Sequence, residues 1–294
     1  MLPGFYIALR FIHFTALMVL LGSTISCSLL APQAFKPVLI RRLKWQWQSA
    51  VWMTALSAIL LLCAQAGMMG SGWRDVINPQ IWLAVLGTSF GSIWLWQILL
   101  SVVTLFVLLL KPRPLQSMLL ILAAAQLILL AGVGHAAMRE GIAGGLQRIN
   151  HAVHLLSAGW WAGGLLPLLM CMRMAQKPRW RGCAITAMMR FSRYGHLAVA
   201  AVILSGLINS LMILGWSLPL QSNYMRFLLV KVAFVAVMVI IAMYNRYFLV
   251  PRFNRMPTAT KQFIQLTWLE VILSVVVLLA VSIFATWEPY RRRY

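Results

Sequence analysis

The sequence predicts an all-α integral membrane protein, a bundle of about eight transmembrane helices with both termini on the outer face, and three observations carry that prediction. The chain of 294 residues is 62% hydrophobic and 10% charged, too apolar for a soluble domain of that length. Its apolar residues fall into runs of about 20, the length that crosses roughly 30 Å of hydrocarbon at the helical rise. Its 25 Lys and Arg, within a formal net charge of +21, lie mostly in the short connections between those runs. In a soluble chain such a charge would suggest nucleic-acid binding. Here membrane topology accounts for it, so the expected partner is the lipid bilayer and no nucleic acid is expected.

The eight runs are residues 5–30, 49–70, 91–110, 115–137, 149–172, 190–214, 225–248 and 263–287, read as one polytopic membrane domain over 1–294. The first has no Lys or Arg before Arg10 and is too long for a signal-peptide core, so it is expected to be retained. The longest outer connection, residues 71–90, contains INPQIWLAVLG, expected as a short helix along the interface. The four cysteines, Cys27, Cys63, Cys171 and Cys183, form no CxxC pair and read as apolar filler. No internal repeat, phosphate-binding loop or dinucleotide fingerprint is present, which argues against an ATP-driven pump. Without a nucleophile beside a base or a carboxylate pair, hydrolytic catalysis is not expected.

Orientation follows from the cations. The first, third, fifth and seventh connections carry sixteen Lys and Arg, the densest being Arg173, Lys177, Arg179, Arg181, Arg190 and Arg193. The alternate connections and the tail carry eight, of which Arg291, Arg292 and Arg293 form the tail. The positive-inside rule makes the odd connections cytoplasmic. Asp75, Glu140 and Glu288, three of the four acidic residues, then lie outside, and tryptophans such as Trp73, Trp82, Trp94 and Trp160 crowd the outer halves of the spans.

Polar groups inside the spans carry the functional reading, because a central charge costs about 2.5 to 3.5 kcal/mol on insertion scales. His13 is placed roughly 12 Å below the outer end of the first span, and His135 two residues from the outer end of the fourth. His151 and His154 open the fifth span in the stretch NHAVHLLSAGWWAGG and, three apart, share a helix face. A single histidine near a helix end often serves as a cap or interface residue; four at one level point to a ligand set. Imidazole in that position ligates a transition metal or binds haem iron axially. Met68, Met69 and Met138 lie at the same outer level, and soft sulfur with imidazole suits Cu(I), although each methionine alone reads as packing. Toward the other face, His196 and Glu270 each reach roughly 10 Å depth and are expected to meet, holding the bundle together or relaying a proton or cation. Arg10, one turn outward of His13, is expected to snorkel to the headgroups, as Lys231 does from the seventh span.

The segments RFIHFTALM (10–18), VGHAAMREG (133–141), NHAVHLLSAGWWAGGLLP (150–167), RFSRYGH (190–196), SGLIN (205–209) and LVKVAFVAVMVIIAMYNRYFLVPR (229–252) together resemble the CopD/PcoD family of inner-membrane copper proteins, most of all its compact YebZ-like members. The resemblance implies an eight-helix protein of the bacterial inner membrane, in which the outward termini given by the positive-inside rule would be periplasmic. It also implies a role in copper homeostasis, copper as the ion handled, and a small periplasmic CopC-like copper-binding protein as partner. Its functional histidines map onto His13, His135, His151 and His154, and His196 falls in a matching segment. The reading is then uptake of copper at the periplasmic face through a His or His/Met site and passage inward, with small residues Gly159, Ala162, Gly163 and Gly164 allowing close helix approach. Asn209, Gln97, Gln126, Cys27 and Cys171 read as packing residues or onward stations. A second reading stays open: His13 with His135 or His154 clasping a b-type haem, which would make the protein an electron carrier or copper reductase and its activity redox.

Overall fold

The computed structural model describes residues 1–134, 140–215, 221–253 and 257–284, all of it helix, turn or connection with no strand. In chain order the helices are α1 (Leu2–Ile25), α2 (Lys36–Arg42), α3 (Lys44–Met69), α4 (Pro79–Leu86), α5 (Ser89–Leu110), α6 (Leu115–Leu130), α7 (Gly141–Ala175), α8 (Arg181–Leu214), α9 (Asn223–Tyr244) and α10 (Pro257–Phe284). Two of them run on into π-helical turns, α1 into Ser26–Leu30 and α9 into Asn245–Leu249. Among the described residues seven segments are long and apolar enough to cross a membrane, and α6 is a shorter apolar helix. The protein is therefore an all-α integral membrane bundle, and each of the eight apolar runs coincides with one of these helices.

Several ends differ from the sequence reading, three of them for a clear physical reason. Helix α6 stops at Leu130 rather than 137, where Gly132 and Gly134 follow and Gly134 takes a φ of +82°. Glycine is poor in a helix interior and good at a left-handed exit. Helix α7 begins at Gly141 rather than 149, and α8 at Arg181 rather than 190. Counting apolar residues stops at the first charge, whereas backbone hydrogen bonding continues past the hydrocarbon boundary. The short helix expected in residues 71–90 does form as α4: Asn78 caps it by accepting the Gln80 N–H at 3.1 Å, and Pro79 fills the first position.

Helix α1 is the hub, packed on α3, α6, α7 and α10. Its apolar face, with Leu17, Leu20 and Leu21 fully buried, fills the centre of the main core. Against α7 the contact is backbone on backbone. A Cβ on Gly22 would run into Gly163 and Gly164, and one on Gly163 into the Met18 carbonyl. Such glycine seams take the place of the hydrophobic drive that lipid cannot supply. As first and fifth crossings, α1 and α7 run the same way; nine residues back from this seam on each lie His13 and His154, at one level roughly 14 Å away.

Candidate functional site

His151 and His154 stand on α7, about 15 and 20 Å along the axis from its first residue, rather than at the mouth of the helix. Their rings are parallel, with centroids 6.2 Å apart and an interplanar angle of 9°. Both turn toward α8. The Ser205 hydroxyl donates to the Ala201 carbonyl one turn back, so its oxygen accepts the Nδ1–H of His154 at 3.0 Å. That fixes the proton on Nδ1 and leaves Nε2 with its lone pair, hydrogen-bonded to none of the described residues.

His151 is held in the opposite tautomer. Asn150 Nδ2 donates to both the Ser205 carbonyl and Asn209 Oδ1, each at 2.9 Å, which fixes which way the Asn209 amide points. The Asn209 Nδ2 then faces His151 Nδ1 at 3.2 Å as donor, so His151 in its neutral form carries its proton on Nε2. Across from these rings, Lys231 of α9 is close enough for its charge to act on both. The site thus offers one ready nitrogen ligand, a second after a tautomer change, and a cation that disfavours highly charged guests.

His13 belongs to a different polar cluster. It is 0% exposed, and the hydroxyl of Ser57, donating to the Met53 carbonyl, accepts its Nδ1–H at 2.8 Å. Its Nε2 accepts from Gln97 Nε2 at 3.0 Å. Gln97 in turn reaches Gln126 Oε1 at 3.4 Å, and Gln126 reaches Thr104 Oγ1 at 2.9 Å, a chain that ties α1, α3, α5 and α6 together. The Trp94 ring packs 5.4 Å from the imidazole. Both nitrogens of His13 are engaged, so the ring sits level with His154 but is committed to other neighbours. The Arg10 guanidinium lies 5.8 Å from the rings of both Tyr6 and Phe14.

Of the remaining expectations, His135 and Met138 lie outside the described residues, and Met68 and Met69 are exposed at the end of α3. Among the described residues no three His, Cys, Asp or Glu side chains gather closely enough to hold a metal ion. Cys27 and Cys171 are buried and all four cysteines are free. His196 and Glu270 do not hydrogen-bond to each other. His196 is exposed, its Nδ1 2.5 Å from the Ser192 carbonyl and 2.9 Å from Arg246 Nη1. Glu270 is buried and accepts from Asn245 Nδ2 at 3.2 Å. The consecutive residues Asn245 and Arg246, in the π-helical turn after α9, stand between the two. Because α10 starts earlier than the apolar run, Glu270 lies near the middle of its span Thr258–Ile283 and not near its inner end.

Sequence reasoning missed the residues that orient the imidazoles. Asn150 and Ser205 lie in the NHAVH and SGLIN stretches but carry no ligand chemistry of their own. The available signal was spacing: Ser205 and Asn209, one turn apart on α8, match the spacing of Asn150 and His154 on α7.

Residues 1–145 match the model of the copper resistance protein D-like N-terminal domain, and residues 185–284 that of copper resistance protein D. The chain is 48% identical over 292 residues to the inner membrane protein YebZ of Escherichia coli K12, covering 99% of this chain and all of the relative. It is 30% identical over 210 residues to copper resistance protein D of Pseudomonas syringae pv. tomato, covering 69% of this chain and 67% of the relative. No solved structure matches.

Proposed function

Because the chain belongs to the copper resistance protein D family, we propose that it takes copper at the periplasmic face through the imidazoles of α7 and passes it inward. The protein is a multi-pass inner-membrane protein of a copper resistance family. The observation that carries the finer reading is the Nε2 of His154, kept unprotonated by Ser205 beside a second imidazole within the bundle. A neutral, oriented imidazole is the form that ligates a metal, and hydrogen-bonded second partners of this kind raise ligand quality. His154 is the first ligand, His151 the second, and His135, in the connection before α7, a third. His13 joins only when the Gln97 amide turns away. Lys231 repels a divalent ion about twice as strongly as a monovalent one, which favours Cu(I), with exposed Met68 and Met69 as soft capture groups. Two or three ligands hold an ion firmly enough to desolvate it and loosely enough to release it. Delivery by a small periplasmic CopC-like protein completes the scheme.

For the haem alternative, His13 is a poor fit, since an axial ligand needs a free nitrogen and both of its own are engaged. Elemental analysis and an optical spectrum of the detergent-purified protein, with a Cu(I) titration against a chromogenic chelator, test the reading. A colourless preparation that binds Cu(I), with binding lost in His154→Ala, is expected. A Soret band abolished by that substitution, or Cu(I) binding that survives it, overturns the proposal.

A further inference from the structure

A second polar site lies on the other side of the bundle, where α9 meets α10. Three side chains there are almost wholly enclosed: Asn245 at 4% exposure, Glu270 at 3% and Thr267 at 0%. One hydrogen bond is formed, from Asn245 Nδ2 to Glu270 Oε2 at 3.2 Å. Three oxygens are left over: Asn245 Oδ1, Glu270 Oε1 and the Thr267 hydroxyl have no partner among the described residues. Thr267 stands one turn from Glu270 on the same face of α10. A buried polar group without a partner is costly, and in a native fold it calls for an explanation.

We propose that Glu270 and Asn245 form a binding site for one exchangeable proton in the membrane interior. A carboxylic acid and a primary amide are complementary in pairs, each offering one donor and one acceptor side by side. With a proton on Oε1, the acid donates to Asn245 Oδ1 while the amide donates to Oε2, so two of the three orphaned oxygens satisfy each other. Without the proton, both of these oxygens are acceptors with no donor among the described residues. A hard metal cation is a worse guest, since such ions take six or more oxygens and only three are spare here.

The surrounding charges leave the site to the proton. Helices α1, α7 and α9 pack against α10, as do the π-helical turn Asn245–Leu249 and the short turn Val250–Arg252, whose Arg252 donates to the Phe248 carbonyl. Arg10 of α1 lies against Tyr6 and Phe14, and His13 of α1 faces Ser57 and Gln97. His151 and His154 of α7 face α8, while Lys231 of α9 acts on those two rings. Arg246, next to Asn245, turns to Ser192 and His196. Among the described residues the Glu270 carboxylate has one hydrogen-bond partner, the Asn245 amide. Loading forms one O–H bond on Glu270 with a proton from water, and release returns it. The π-helical turn Asn245–Leu249, which projects Asn245 toward Glu270 and Arg246 toward exposed His196, is the kind of local widening that marks functional sites in helices. Joined to the copper reading, the site supplies a proton whose movement drives the ion.

Infrared spectroscopy of the full-length, metal-free protein in lipid nanodiscs tests this. The chain has four acidic residues, and Asp75 and Glu140 lie outside the spanning helices, as Glu288 does by sequence. A protonated-acid carbonyl band at neutral pH is therefore expected to come from Glu270. It should vanish in Glu270→Gln, shift upward in Asn245→Leu, and move on transfer to D₂O within minutes. Absence of a band that Glu270→Gln removes, a band indifferent to Asn245→Leu, or one that stays unshifted in D₂O for hours overturns the proposal. Elution as a monodisperse peak checks that each variant is folded, and Asn245→Leu keeps the test alive should Glu270→Gln fail. In proteoliposomes with an acidic exterior, copper uptake should fall at least tenfold in Glu270→Gln. Absence of uptake by the unsubstituted protein would count against the copper reading and leave the infrared result standing.

Discussion

The oxygen of Ser205 accepts the Nδ1–H of His154 at 3.0 Å from the facing helix, while the serine's own proton goes to the Ala201 carbonyl. Two helices thereby decide which nitrogen of one imidazole is free. Removing the oxygen in Ser205→Ala lets the ring rotate and exchange tautomers, and loss of such a second partner weakens metal affinity about 10- to 100-fold. Ser205→Thr, which keeps the hydroxyl, is expected to stay near the parent value. Competition with a chromogenic Cu(I) chelator measures both, and equal affinity for Ser205→Ala and parent would remove the orienting role.

The seam between α1 and α7 makes a prediction about folding that does not depend on metal. A side chain on Gly22 or Gly163 meets backbone, which cannot step aside as a side chain does. Gly163→Ala is expected to cost at least the roughly 1 to 3 kcal/mol typical of overpacking, seen as a lower thermal midpoint in detergent. Gly4→Ala, on the same α1 helix with nothing within 4 Å of the added carbon, is the control and is expected to match or exceed the parent. Equal midpoints for the two variants would mean the helices are not in backbone contact.

Much of this architecture was written in hydropathy, because a bilayer imposes one length and one polarity on every span. The runs 49–70 and 91–110 coincide closely with α3 and α5 for that reason. What hydropathy does not encode is rotation about each helix axis. Depth along the spans says nothing of this, and only packing decides that His13 turns to Ser57 and Gln97 while His154 turns to Ser205. The same gap paired His196 with Glu270: the π-helical turn that places Asn245 and Arg246 between them leaves no mark in an apolar count.

Outside the membrane, Asp75 organises the turn that follows α3. Its carboxylate accepts the backbone N–H of Ser71 first and the Asn78 side-chain amide second, and both hold its pKa below the ordinary carboxylate value. A depressed folded-state pKa contributes order that is complete above the ordinary value and is lost as pH falls through the lowered one. Amide exchange over residues 71–78, taken relative to the intrinsic rate at each pH, is therefore expected to be flat from neutrality down through the ordinary carboxylate range and to rise in stronger acid. In Asp75→Asn the exchange should be faster at neutral pH and lose that acid step. A parent profile without an acid step would remove the role assigned to Asp75.

Charge distribution predicts which loops face which side. In a background with the four cysteines replaced, single cysteines at Ser71 and Gln221 are expected to react in intact cells with a membrane-impermeant maleimide. Cysteines at Lys111 and Lys177 should react only after lysis; all four positions are exposed. The opposite pattern would invert the bundle and put the α7 imidazoles in the inner half.

Lys231 gives the most direct test of which ion the site was built for. Its charge acts on both His151 and His154, so any cation bound between them is held against a standing repulsion. That repulsion scales with the charge of the guest, so a neutral replacement relieves a divalent ion about twice as much as a monovalent one on a logarithmic scale. Lys231→Met, which keeps the length and apolar stem, is expected to tighten Cu(I) binding by about tenfold and to tighten binding of a divalent imidazole-seeking ion such as Zn²⁺ by more. Parallel titrations of both ions against parent and variant read the ratio directly. Should Lys231→Met weaken Cu(I) binding instead, the lysine would be supporting the site through packing or a hydrogen bond, and selection by charge would have to be given up.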